Sequence, residues 1–351
     1  MLISPANLIL TAYFYLLLPV FFLAALGLVG CFRRYALSKG LLDSPNARSS
    51  HQSPTPRGGG VVFVGLWLGA ALLVWGRGEI SSEAAFFLLP GAFLVAGIGY
   101  GDDLYDVSPL WRIVTHFIAA LIAVYFLLAM DIRQYGWEIF FWPELGVVAG
   151  ILFAMVWSIN LFNFMDGIDG LAGMEACFVF SVGGWWLWEA EAYGYAYLAW
   201  VLVAVVAGFL VWNWPSARIF MGDGGSGFLG FLIAAFTFAG HVWWDIPILL
   251  WIIVYGVFWF DATVTLLRRI LAGERWYSAH CSHAYQRLYQ IGWSHRKVLL
   301  AISGINMALV TVALWADANR EALPWIFLVT LMFLGIIYGG IERLRPMYPK
   351  E

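Results

Sequence analysis

The chain has 351 residues, of which 62% are hydrophobic and only 12% charged, with a formal net charge of −3. Its mean hydropathy is +0.80. Soluble domains average roughly 45–50% apolar and about 25% charged residues, so a soluble enzyme, a disordered linker and a nucleic-acid binder are all excluded. The composition defines an all-α polytopic integral membrane protein whose function rests on a small number of polar residues.

A span needs about 20 predominantly apolar residues. In chain order this criterion predicts spans near 10–32, 59–76, 83–101, 113–130, 145–163, 171–188, 196–213, 226–243, 246–267, 297–315 and 323–341, about 11 transmembrane helices in one domain covering 1–351. No charge precedes Arg33-Arg34, which follow the first apolar run. A cleavable signal would carry its positive charge ahead of that run, so the first segment is expected to be an uncleaved span. Of the 19 Lys and Arg, only Arg77, Arg133 and Arg320 fall on connections after even-numbered spans. Positive charge stays inside, which predicts a periplasmic N-terminus and a cytoplasmic C-terminus. Three cysteines, Cys31, Cys177 and Cys281, are too few and too scattered for a disulfide framework or a zinc site.

The unusual polar motifs all fall on inner connections, at about 33–58, 102–112, 164–170, 214–226 and 268–296. The first, GLLDSPNARSSHQSPTPRGGG from Gly40, also reads as an ordinary solvated linker. Asp102-Asp103 with Asp106 end the third span. Adjacent carboxylates there repel unless a cation compensates, and hard oxygen donors suit Mg²⁺. The run Asn160 to Gly170 sets Asn160, Asn163, Asp166 and Asp169 at spacing three, one helical face. Such groups need partners in an apolar run. Phe220-Met221-Gly222-Asp223-Gly224-Gly225-Ser226-Gly227 is a glycine turn entering a helix, able to cradle phosphate, although it is also simply a flexible turn. The last loop carries Ser278-Ala279-His280-Cys281-Ser282-His283 and Arg287. Two histidines at this spacing find no second pair to complete a zinc site, so phosphate binding is the better chemical reading. Taken together, the motifs describe one cytoplasm-facing site for a magnesium-bound phosphate substrate.

At these motifs the chain resembles the polyprenyl-phosphate N-acetylhexosamine-1-phosphate transferase family (glycosyltransferase family 4), from Asp43 to about Arg287 with all motifs in order. NxxNxxDGxDGLAG followed by FMGDxGS carries the resemblance most specifically. The local SAHCSH sequence is similar to the WbpL-type branch that initiates O-antigen. The resemblance implies transfer of N-acetylhexosamine-1-phosphate from a UDP-sugar to undecaprenyl phosphate, releasing UMP, at the bacterial inner membrane. It also implies a Mg²⁺ requirement, with Mn²⁺ as a substitute, and leaves room for a homodimer.

By position, Asn163 and Asp223 match the family's metal contacts. Asp169 matches the residue recognising uracil, and Phe220 the ring stacking on it. Asp102, Asp103, Asp166, His280 and His283 are expected to serve catalysis. Asp43, Asn46, Arg48, His51, Asn160, Arg218 and Arg287 are expected to bind substrate. The chain departs from the family's HxHH-like pattern at Ser282. Two alternatives are an intramembrane Mg-dependent prenyltransferase, which would not need the FMGDGGS turn, and a transporter, whose polar residues would sit near the bilayer midplane.

Overall fold

The computed structural model describes residues 5–45, 53–135, 142–275 and 280–348. The site expectations for Asn46, Arg48 and His51 lie outside the described residues. In chain order the elements are α1 (Pro5–Lys39), β1 (Leu42–Asp43), β2 (Thr55–Pro56), α2 (Gly60–Gly76), α3 (Ser82–Tyr105), α4 (Pro109–Tyr135), α5 (Trp142–Met165), α6 (Leu171–Glu189) and α7 (Tyr193–Asn213). They continue with α8 (Asp223–Trp244), α9 (Ile248–Val254), α10 (Gly256–Leu271), α11 (Ala284–Gln290), α12 (His295–Asp317), a 3-10 turn at Arg320–Ala322 and α13 (Leu323–Leu344).

Ten of the eleven predicted spans fall on one helix each, and the protein is an all-α polytopic membrane protein. Among the described residues eight helices are long and apolar enough to cross a bilayer, or nine if the bent α9–α10 pair is one span. The expected eleven included two helices that miss this measure. α2 has only 17 residues. α6 carries Glu175 and a Gly-Gly-Trp-Trp stretch that dilute its apolarity. The stretch expected as one span over 246–267 is instead two helices meeting at 83°.

The most enclosed helix is α8: 89% of its apolar window is buried within the protein, against 17% for α1. Its neighbours α3 and α5 reach it through small residues. A Cβ on Gly99 of α3 would lie 2.5 Å from the Asp223 backbone, and one on Gly230 of α8 would lie 2.5 Å from the Ser158 carbonyl of α5. Ser158 Oγ donates to the Gly230 carbonyl at 2.7 Å. In lipid, where helices gain little from apolar burial against one another, close backbone packing and interhelical hydrogen bonds supply the cohesion. Outward-facing Leu23, Phe93, Leu300, Trp325 and Ile336 are exposed on the molecule, the apolar exterior expected of a protein solvated by acyl chains. With α8 central, the C-terminal ends of α3 and α5 and the N-terminus of α8 meet at one end of the bundle. That end carries Asp102, Asp103, Asn163 and Asp223.

Candidate active site

Hydrogen bonds from the backbone and from amide side chains pin the polar loops to one another. β1 and β2 pair antiparallel, Leu42 opposite Pro56 and Asp43 opposite Thr55, which closes the first loop at its base. The strand continues into the glycine turn: Phe220 N–H donates to the Pro56 carbonyl at 2.8 Å, Gly59 N–H to Phe220 at 2.9 Å and Gly60 N–H to Met221 at 2.8 Å. Asn213, the last residue of α7, ties two further loops. Its Oδ1 accepts from Gly170 N–H and its Nδ2 donates to the Ile219 carbonyl, both at 2.9 Å. Gly222 has φ +80°, and a Cβ there would collide with Asp103 Oδ2. Only glycine satisfies both demands.

These links surround a polar cavity of about 250 Å³ lined by Asp43, Arg57, Asp103, Asp166, Gly167, Ile168, Asp169, Asn213, Phe220, Met221, Gly222, Asp223 and Gln286. Asp103 is buried and accepts from Asp223 N–H at 3.1 Å and Gly224 N–H at 3.4 Å, so its carboxylate sits at the N-terminus of α8, where the helix dipole favours negative charge. Asp169 Oδ2 accepts from Ala217 N–H at 2.9 Å and lies 3.2 Å from His295 Nδ1. Asn163 Nδ2 donates to Ser226 Oγ at 3.0 Å. Asp166 is held well above the usual carboxylate range, first by burial and then by the negative charges of Asp223, Asp103 and Asp169.

Five carboxylates therefore line one cavity with Arg57 as the cation in its wall. Such an excess of hard oxygen donors fits Mg²⁺. Among the described residues no group of three or more His, Cys, Asp or Glu is arranged to hold an ion unaided.

Asp102 lies beside the cavity, ion-paired with Arg112 at 2.5 Å. Other expected residues lie elsewhere. Asn160 Nδ2 donates to its own helix at the Val156 carbonyl and approaches His116. Arg218 is exposed and sits over the Trp212 ring. Arg287, expected on phosphate, is buried: its guanidinium pairs with Glu342 at 2.5 Å and covers the Tyr338 ring. His283 Nδ1 lies 3.5 Å from Asp261 Oδ1. His280, its ring tilted against that of His283 with centroids 4.8 Å apart, is pushed down to about 4, by burial first and then by the His283 and Arg269 charges. Neither histidine lines the cavity. Asp261 accepts from Ala284 N–H at 2.9 Å and Tyr285 N–H at 3.4 Å, and so anchors α11, whose Gln286 reaches the cavity wall.

Sequence reasoning did not select Arg57, Arg112, Gln286 or His295. The only available signal was a cationic residue opening a span next to an acidic motif, as Arg112 does ten residues after Asp102.

The acidic and glycine motifs thus meet at one end of a membrane-embedded helical bundle. The chain belongs to the Glycosyl transferase family 4, whose family model matches residues 85–241, from α3 through α8. It is 32% identical over 295 residues to a decaprenyl-phosphate N-acetylglucosaminephosphotransferase of Mycobacterium leprae (strain TN), covering 74% of this chain and 72% of the relative. A probable undecaprenyl-phosphate N-acetylglucosaminyl 1-phosphate transferase of Bacillus subtilis (strain 168) is 31% identical over 88% of this chain and 85% of its own length. An undecaprenyl-phosphate alpha-N-acetylglucosaminyl 1-phosphate transferase of Escherichia coli (strain K12) is 26% identical with the same coverage. Membership of this family sets aside the prenyltransferase and transporter alternatives.

Proposed function

We propose that the protein transfers N-acetylhexosamine-1-phosphate from a UDP-sugar to undecaprenyl phosphate, as the initiating step of O-antigen or another cell-envelope polysaccharide. The observation that carries this reading is the convergence of Asp43, Asp103, Asp166, Asp169 and Asp223 with Arg57 and Phe220 on one small cavity at a bundle end. The Lys and Arg distribution favours a cytoplasmic site in the inner membrane, where nucleotide sugars are available.

An oxygen of the lipid phosphate attacks the donor phosphorus that bears the sugar. The bond from that phosphorus to the oxygen bridging it to the nucleoside phosphate breaks, and UMP leaves with the electron pair. The attacking phosphate has a second pKa near about 6 and is mostly dianionic at neutral pH, so no strong base is required. Holding two anions in line is the main demand. Asn163 and Asp223 would hold Mg²⁺, which when bound offsets phosphate charge and stabilises the leaving group. Asp103 caps the first N–H groups of α8 and so fixes where that helix, and with it Asp223, begins. Asp102 removes a residual proton from the acceptor or orients it. Phe220 stacks on uracil and Asp169 accepts from its edge.

The test is UMP release by purified protein given undecaprenyl phosphate and, in turn, UDP-N-acetylglucosamine, its galacto epimer and a 6-deoxy donor. Lipid-linked sugar diphosphate must form with UMP. Absence of both with every donor overturns the reading.

A further inference from the structure

The forked guanidinium of Arg112, in the first turn of α4, joins two acids from segments far apart in sequence. Nη1 lies 2.5 Å from Asp102 Oδ2 and Nη2 lies 2.7 Å from Asp223 Oδ2. All three side chains keep partial solvent access, 25% for Arg112, 15% for Asp102 and 30% for Asp223, so the arrangement is not a sealed core pair. One planar cation bridging two carboxylates does what a divalent ion would do: it cancels their repulsion and fixes their separation. A carboxylate oxygen committed to a guanidinium cannot also present that lone pair to a metal at about 2.0–2.1 Å. The remaining neighbour on this face of α4 is His116, one turn on, buried against Asn160. It offers no second anion for Arg112.

We infer that Arg112 is an exchangeable internal counter-ion. It holds Asp102 and Asp223 in register in the metal-free protein, yields Asp223 when a divalent ion arrives, and then turns its fork to the diphosphate of the donor. This inference rests on the metal-dependent transferase reading above. It adds a positioning role for a residue outside the acidic motifs, and couples metal entry to nucleotide binding: the arriving ion releases the very cation that the phosphates need.

The experiment uses the full chain purified in detergent, without lipid substrate, and measures Mn²⁺ affinity by paramagnetic resonance and UDP affinity by calorimetry. Arg112→Gln should bind Mn²⁺ roughly fivefold or more tightly than the unaltered protein, the lower end of ordinary coupling between sites. Mn²⁺ should strengthen UDP binding strongly in the unaltered protein and much less in Arg112→Gln. Arg112→Lys, whose compact ammonium cannot fork across both acids, should lie between them, and it decides the matter if Arg112→Gln does not fold. Equal or weaker Mn²⁺ binding by a folded variant overturns the inference. So does a loss of UDP affinity that is the same with and without Mn²⁺, because that describes a fixed charge rather than an exchanged one. If the unaltered protein binds no Mn²⁺, the metal-dependent reading fails as well. Failure confined to the variants leaves that reading standing.

Discussion

Asp223 shows how one side chain serves several demands. Its N–H is held by Asp103, its carboxylate meets Arg112, and its Cα begins α8. Asp223→Asn keeps the size and the backbone bonds but is a poor ligand for a hard cation. Transfer should be abolished while membrane insertion and thermal stability stay normal. Near-normal turnover at low millimolar Mg²⁺ would remove the metal role. Phe220 lines the cavity with its backbone clamped to Pro56 and Gly59, so Phe220→Ala empties the ring's place without freeing the turn. Base–aromatic stacking is worth about 1–3 kcal/mol, or roughly ten- to a hundredfold in affinity. The donor KM should rise by that factor, the undecaprenyl phosphate KM should hold, and kcat should fall far less than in Asp102→Ala. If Phe220 only packs the turn, both KM values move together and the melting temperature drops.

At the level of elements, the contact between α3 and α8 sets the spacing of the acids. Gly99 sits one turn before Asp103, and its missing side chain lets α3 lie against the first residue of α8. Gly99→Ala inserts a methyl group where backbone already stands. Such overpacking costs typically about 1–3 kcal/mol. A lower melting temperature with a disproportionate loss of Mn²⁺ affinity is the expected pair of results; a stability loss with unaltered metal binding would uncouple packing from the site. Much of this scale was legible in the sequence. Apolar runs of about 20 residues located the helices, and acids inside or beside those runs announced chemistry because lipid tolerates them so poorly. Other features were not legible. The bend between α9 and α10 falls within an apolar run where Gly256 is the one local mark, and a lone glycine inside a span does not by itself require a break. Arg287 carries the same charge whether it meets phosphate or Glu342, and only the docking of α13 decides. Arg57 and His295 reach the acids across long sequence separations that periodicity does not encode, and so does Arg112 in its contact with Asp223.

For the molecule as a whole, the distribution of Lys and Arg makes a claim that neither helix lengths nor packing tests. If positive charge marks the cytoplasmic side, single cysteines placed at Arg77 and at Arg320, in a chain whose Cys31, Cys177 and Cys281 have been replaced, should react with an impermeant maleimide in intact cells. Cysteines at Lys39 and Arg275 should react only after permeabilisation. The opposite pattern would invert the topology and place the acidic cavity away from the nucleotide pool. The gradient of enclosure from α1 to α8 has a further consequence, for tolerance to sequence change. A helix that mostly faces acyl chains asks its residues only to be apolar, so leucine, isoleucine, valine and phenylalanine are interchangeable over most of its surface. A helix walled in on all sides asks for particular shapes as well. Random substitution followed by selection for retained transferase activity should therefore leave α1 richly varied and α8 almost untouched. The permitted alphabet should shrink turn by turn toward the glycines where α8 begins.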